Sequence, residues 1–134
     1  MKVTLDMNTI QTINLFHNIT GSNVVDCVDT EDMLYFVVQK GEYGLAVGKN
    51  GAKIKIVEKK LRKTVKIFEY SEDLETFIKN IVPEAQETTF NEKKILVRLK
   101  PADRAKVIGK AGKNIKIINV FLKRLFDIEE MKVK

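Results

Sequence analysis

Residues 47–54 read VGKNGAKI, two glycines three positions apart around a lysine, set between one apolar run and another. Shifting the sequence by 61 positions lays GLAVGKNGAKIKIVEKKLRKTVKI, residues 44–67, over AKVIGKAGKNIKIINVFLKRLFDI, residues 105–128. Eight positions are identical: Gly48/Gly109, Lys49/Lys110, Gly51/Gly112, Ile54/Ile115, Lys55/Lys116, Ile56/Ile117, Leu61/Leu122 and Ile67/Ile128. The likeness continues backward in type, since MLYFVVQ (33–39) falls over KILVRLK (94–100), both strand-like. A repeat of this period predicts two structural units of similar element order, residues 1–70 and 71–134.

Working outward, Asp6 is placed to cap a helix over 7–20 with Ile10, Ile13, Phe16 and Ile19 inward and Gly21 as its stop. Ser71 is the corresponding cap in the second unit, where Glu72, Asp73 and Glu75 suit the positive helix end. Leu74, Phe77, Ile78 and Ile81 form its apolar stripe and Pro83 ends it. Paired strands follow at 23–28 and 33–39, and again at 84–90 and 94–100. A short helix then enters each glycine turn, with Pro101 as the first helical residue of the second. A longer helix leaves each turn, its inner face being Ile54, Val57 and Leu61, or Ile115, Ile118, Leu122 and Leu125. Closing strands are expected at 64–70 and 126–133. Ile117, Val120 and Phe121 give the last helix apolar residues beyond one face, and that surplus predicts packing of the second unit on the first, as one rigid monomer.

Composition narrows the function classes. The chain of 134 residues is 44% apolar, enough for a core, and its opening MKVTLDMNTI holds no run suited to a signal or a membrane helix, which predicts a cytoplasmic protein without membrane association. Cys27, the lone cysteine, fits a small core residue in a strand, and His17 a helix surface. One Cys and one His exclude a zinc cluster of those ligands, and no cofactor is expected. The sequon Asn18-Ile19-Thr20 carries no weight without an export signal.

The net charge of +6 is segregated. Residues 44–67 hold eight basic side chains against the single Glu58, residues 68–92 are acidic apart from Lys79, and basic residues return from Lys93 onward. A polyanion would meet two basic zones, each centred on a glycine turn.

At a junction between helices, two glycines permit positive φ and close approach of a ligand. The first amides of the following helix lack intrahelical partners and its dipole is positive there, so the turn suits a phosphate, with Lys49 or Lys110 adding charge beside it. A nucleotide-hydrolysing P-loop does not fit: it needs glycine where Tyr43 and Arg104 stand, and a hydroxyl where Asn50 and Ala111 stand. There is no dinucleotide fingerprint and no His-anchored triad, and the carboxylates gather in the connector away from the turns, so no enzyme is expected.

Val47-Gly48-Lys49-Asn50-Gly51 with Ile54, and Val107-Ile108-Gly109-Lys110-Ala111-Gly112 with Ile115, resemble the GxxG signature of K homology (KH) domains, twice and in register. The order helix, strand, strand, helix, turn, helix, strand resembles the type II arrangement. The resemblance implies an α+β sandwich of two tandem type II KH domains, each a three-stranded mixed sheet packed against helices. A pair of such units with little linker is most similar to archaeal NusA-like factors of transcription elongation and termination. The implied ligand is single-stranded RNA, its backbone clamped by the turn and its bases in a groove bordered by Val47 and Ile54, or Ile108 and Ile115. Carried onto this chain, the contact residues are Gly48, Lys49, Asn50, Gly51, Lys53, Ile54 and Lys55, with Gly109, Lys110, Ala111, Gly112, Lys113, Asn114, Ile115 and Lys116. Tyr35, Phe36 and Phe68 lie in strands where core packing is the default, which favours a groove over a stacking platform. RNA polymerase is the implied protein partner. A ribosome-associated role is the alternative, because a small-subunit ribosomal protein family shares the fold, and a degenerate protein-binding module is a third. Ala111 offers fewer phosphate donors than Asn50, so the first turn is expected to dominate.

Overall fold

A computed structural model describes residues 7–134. Asp6, the expected cap of the first helix, lies outside them. The chain divides into two compact units between Glu72 and Asp73. The first contains α1 (Met7–Thr20), β1 (Val24–Asp29), β2 (Met33–Val38), α2 (Tyr43–Val47), α3 (Ala52–Leu61) and β3 (Thr64–Glu69). The second contains α4 (Leu74–Ile81), β4 (Glu87–Asn91), β5 (Lys94–Arg98), α5 (Pro101–Ile108), α6 (Lys113–Phe126) and β6 (Glu130–Val133). Each unit has a three-stranded mixed sheet, ordered β1-β2-β3 or β4-β5-β6, the first pair antiparallel and the second parallel. The architecture is α+β, as the element pattern requires.

The first sheet is built on β2, an uninterrupted apolar run that is buried along nearly its whole length, as a central strand with a parallel neighbour demands. Leu34, Phe36 and Val38 face the helices and join Phe16, Ala46, Val57, Val65 and Ile67 in one core, where the rings of Phe16 and Phe36 stack at 4.0 Å. Cys27 is buried there as a small core residue. Burial of Tyr35, Phe36 and Phe68 agrees with their placement in strands.

Several boundaries depart from the sequence pattern. Ile10 is 39% exposed, not inward. Apolar residues every third position drift around a helix by about 60° per step, so Ile10 lies opposite Ile19 and only Ile13, Phe16 and Ile19 reach the core. The cap of α4 is Asp73, not Ser71: its carboxylate accepts the Thr76 N–H at 3.0 Å and the Thr76 hydroxyl at 2.5 Å. Ser71 is buried instead. β4 begins at Glu87 rather than at 84.

The largest difference is at the end of the repeat. α6 continues to Phe126 and β6 starts only at Glu130, whereas the repeat pattern places the start of that strand at 126. Phe36 pairs with Ile67 while its counterpart Val97 pairs with Val133, so the repeat spacing grows from 61 to 66 residues after the long helix. Ile67 and Ile128, identical under the constant shift, are therefore not equivalent. Ile117 and Phe121 are buried, and Val120 is half-buried.

The long helix is tied to the last strand by the same position in both units. Glu58 Oε2 accepts the Val65 N–H at 2.9 Å. Asn119 Oδ1 accepts the Met131 N–H at 2.6 Å, and its Nδ2 donates to the carbonyls of Ile115 and Met131.

Candidate nucleic-acid interface

The two glycine turns have one backbone conformation. Gly48 has φ 77° and ψ 169°, and Gly109 has φ 78° and ψ 167°, a region that only glycine occupies freely. Asn50 and Gly51 then adopt left-handed values, φ 56° and 73°, and Ala111 and Gly112 follow at 57° and 73°. Each turn closes with an N–H of the second glycine donating to the carbonyl of the first, at 3.1 Å. A short helix therefore runs in, reverses over four residues, and a long helix runs out.

The first amide of each outgoing helix is used within the turn, the Ala52 N–H donating to the Lys49 carbonyl and the Lys113 N–H to the Lys110 carbonyl. The N-caps are Gly51 and Gly112, and neither helix has a side-chain cap hydrogen bond. Helices of this length begin with amides that find no intrahelical acceptor, and their dipole adds partial positive charge at the same end. Lys49, Asn50, Lys110 and Ala111 are exposed at the crests of the turns, and Lys55, Lys113 and Lys116 are exposed on the first turns of the outgoing helices. Ile54 and Val47 are half-buried and packed against the first core, and Ile108 and Ile115 are half-buried in the second unit. Each unit thus joins a helix N-terminus without a side-chain cap, exposed ammonium groups and a partly accessible aliphatic pair.

Lys53 and Asn114 behave differently from the other named residues. The Lys53 ammonium donates to the Thr20 carbonyl at 3.0 Å, tying the turn to the end of α1. At the equivalent position Asn114 Nδ2 donates to the Val107 carbonyl at 2.7 Å, tying the turn to α5. Both side chains brace the loop. A third feature has no counterpart in the sequence pattern: Tyr43, at the start of α2, is exposed, and its N–H donates to Glu69 Oε1 at 3.1 Å. A lone aromatic on a five-residue helix gives no periodic signal.

Among the described residues no helix is long and apolar enough to cross a membrane, and no group of three or more His, Cys, Asp or Glu is arranged to hold a metal ion.

Comparison with known proteins agrees with this geometry. A model of the KH domain family matches residues 12–99, a span that includes the first turn. The chain is 37% identical over 139 residues to a probable transcription termination protein NusA of Methanococcus vannielii, covering 99% of this chain and 80% of that protein. It is 35% identical to the protein of the same name in Thermoplasma acidophilum, covering 99% of this chain and 96% of the relative. The crystal structure of APE1850 superposes with a TM-score of 0.78 at 30% identity, covering 97% of this chain and all of the other. With strands, turns and helices in the same order and relatives matched over nearly the full length, the chain belongs to the KH domain family and groups with archaeal NusA-like proteins.

Proposed function

We propose that this chain binds single-stranded RNA through its two GxxG turns, one in each of two tandem KH units, and acts in transcription elongation or termination by holding nascent RNA without altering it chemically. The observation that carries the proposal is the agreement of the two turns to within a few degrees, each opening a helix whose first amides have no side-chain cap. Such a turn offers amides, dipole and lysine to one phosphodiester group. The half-buried pairs Val47/Ile54 and Ile108/Ile115 supply apolar walls for splayed bases. The names of the relatives point to transcription termination, and RNA polymerase is the protein partner that the family resemblance implies.

The test is binding of single-stranded RNA, with duplex DNA as control, to the wild type and to a variant carrying Lys49→Asp, Asn50→Asp, Lys110→Asp and Ala111→Asp. These positions are exposed, and Asp tolerates the left-handed backbone at 50 and 111 better than most residues. RNA binding should vanish with the circular dichroism spectrum unchanged. Binding that persists in the folded variant would sink the proposal. Co-purification with polymerase rather than with small ribosomal subunits checks the cellular assignment.

A further inference from the structure

We infer that Tyr43 is a base-stacking residue that holds the nucleotide next to the one clamped by the first glycine turn, an element that the second unit lacks. The inference rests on the RNA-binding function proposed above. Tyr43 is 48% exposed, whereas Tyr35 is buried and Tyr70 half-buried, so it is the one tyrosine free to present its ring to a ligand. It stands four residues before Val47, hence on the same face of α2 and about 6 Å further from the clamp along the helix. The ring therefore extends the apolar wall begun by Val47 in the direction leading away from Gly48.

Its anchorage and surroundings suit the role. The Tyr43 main chain is fixed by its bond to Glu69, at the end of β3, so the ring projects from a held point. The next residue is Gly44, which has ordinary helical φ and would meet nothing within 4 Å if it carried a Cβ. A glycine there costs helix stability with no conformational return inside the chain, and its bare surface leaves room for a sugar or base to lie against the helix beside the ring. Stacking on an aromatic face serves single strands well, because every base has a π-face.

The second unit differs at each of these points. Arg104 and Ala105 replace Tyr43 and Gly44, and the Arg104 guanidinium donates to the Lys134 main-chain oxygen. A protein partner fits Tyr43 less well. Leu45, the other exposed apolar residue of α2, lies about 200° around the helix from it, so the two do not form one contiguous patch.

The chain contains no tryptophan, so Tyr43→Trp places a single indole at the site. A single-stranded RNA 12-mer of mixed sequence is titrated into wild type, Tyr43→Trp, Tyr43→Phe and Tyr43→Ala, at several salt concentrations. We expect the indole emission of Tyr43→Trp to be quenched on binding and Tyr43→Phe to bind as wild type. Tyr43→Ala should lose about tenfold or more in affinity at an unchanged salt slope, because stacking adds no phosphate contact. Unaltered affinity in Tyr43→Ala, or indole emission that stays unmoved while Tyr43→Trp binds RNA, overturns the inference and leaves the turns as clamps; the ring would then be open to a protein. If the wild type binds no RNA, the function proposed above fails first and takes this inference with it.

Discussion

A Cβ built on Gly48 would lie 2.9 Å from the main-chain nitrogen of Lys53, and Gly109 stands in the same relation to Asn114 at 2.8 Å. The first glycine of each turn is thus required twice, by its φ and by the backbone of the outgoing helix. Gly51 and Gly112 are required by φ alone, with nothing within 4 Å of an added Cβ. Gly48→Ala should therefore destabilise the fold by roughly 3 kcal/mol, against roughly 1 kcal/mol for Gly51→Ala. Urea unfolding of the two variants checks the order, and equal losses would contradict the packing argument.

Ala111 holds a left-handed conformation, φ 57° and ψ 26°, at the position where the first turn has Asn50. Alanine is disfavoured there by about 1 kcal/mol, whereas asparagine tolerates it. Ala111→Asn should raise the stability of the second unit by roughly 0.5–1 kcal/mol and strengthen RNA binding by adding amide donors, while Asn50→Ala should do the reverse in the first. Thermal unfolding and RNA titration of the pair read both effects.

Asn119 satisfies the main chain of Met131 on both its N–H and its carbonyl. Asn119→Ala strips this buried strand residue of those partners and should cost about 2 kcal/mol. Asn119→Asp keeps the acceptor for the N–H, as Glu58 does in the first unit, and should cost less. Hydrogen exchange at the Met131 amide separates the two variants.

The hydroxyl of Thr76, and then its amide, hold the Asp73 carboxyl below the usual carboxylate range. A lowered pKa means that the unfolded chain takes up the proton first. The cap's contribution is therefore complete above the unfolded carboxylate value, near 4, and is lost as pH falls through the lower folded value. Asp73→Ala should lower Tm by a few degrees at pH 7, and the difference should shrink toward pH 3.

If the two turns and their flanking lysines neutralise about five phosphates, RNA affinity should fall with salt on a log-log slope near −3 to −4. Lys49→Asp with Asn50→Asp alone should flatten the slope more than Lys110→Asp with Ala111→Asp. A slope near zero in the wild type would refute phosphate clamping.

What the sequence made legible was whatever repeats or alternates. The shift of 61 residues revealed the element order, both glycine turns and the strand pairs, because strand, turn and outgoing helix keep fixed spacing in both copies. The boundary of β6 was hidden because LKRLF continues a helical apolar pattern and the same constant shift made Ile128 look like the partner of Ile67. The inward stripe of α1 was overdrawn at Ile10 because spacing by threes looks periodic in a line but winds around a cylinder. The bond from the Lys53 ammonium to the Thr20 carbonyl was not legible, because a long side chain at a helix start reaches a partner that no spacing announces. Capping went to Asp73 over Ser71 because the helix starts at Leu74, three residues after Ser71 and directly after Asp73.

The change of spacing after the long helix also marks where this architecture tolerates growth. The second unit accommodates four extra residues at the end of α6 and one more before β6, while everything from the strand pair through the glycine turn stays in step. The corresponding junction in the first unit, at Arg62 and Lys63, is therefore the natural place to graft a peptide tag or fluorophore loop. Such an insertion would sit at the opposite end of α3 from the first glycine turn.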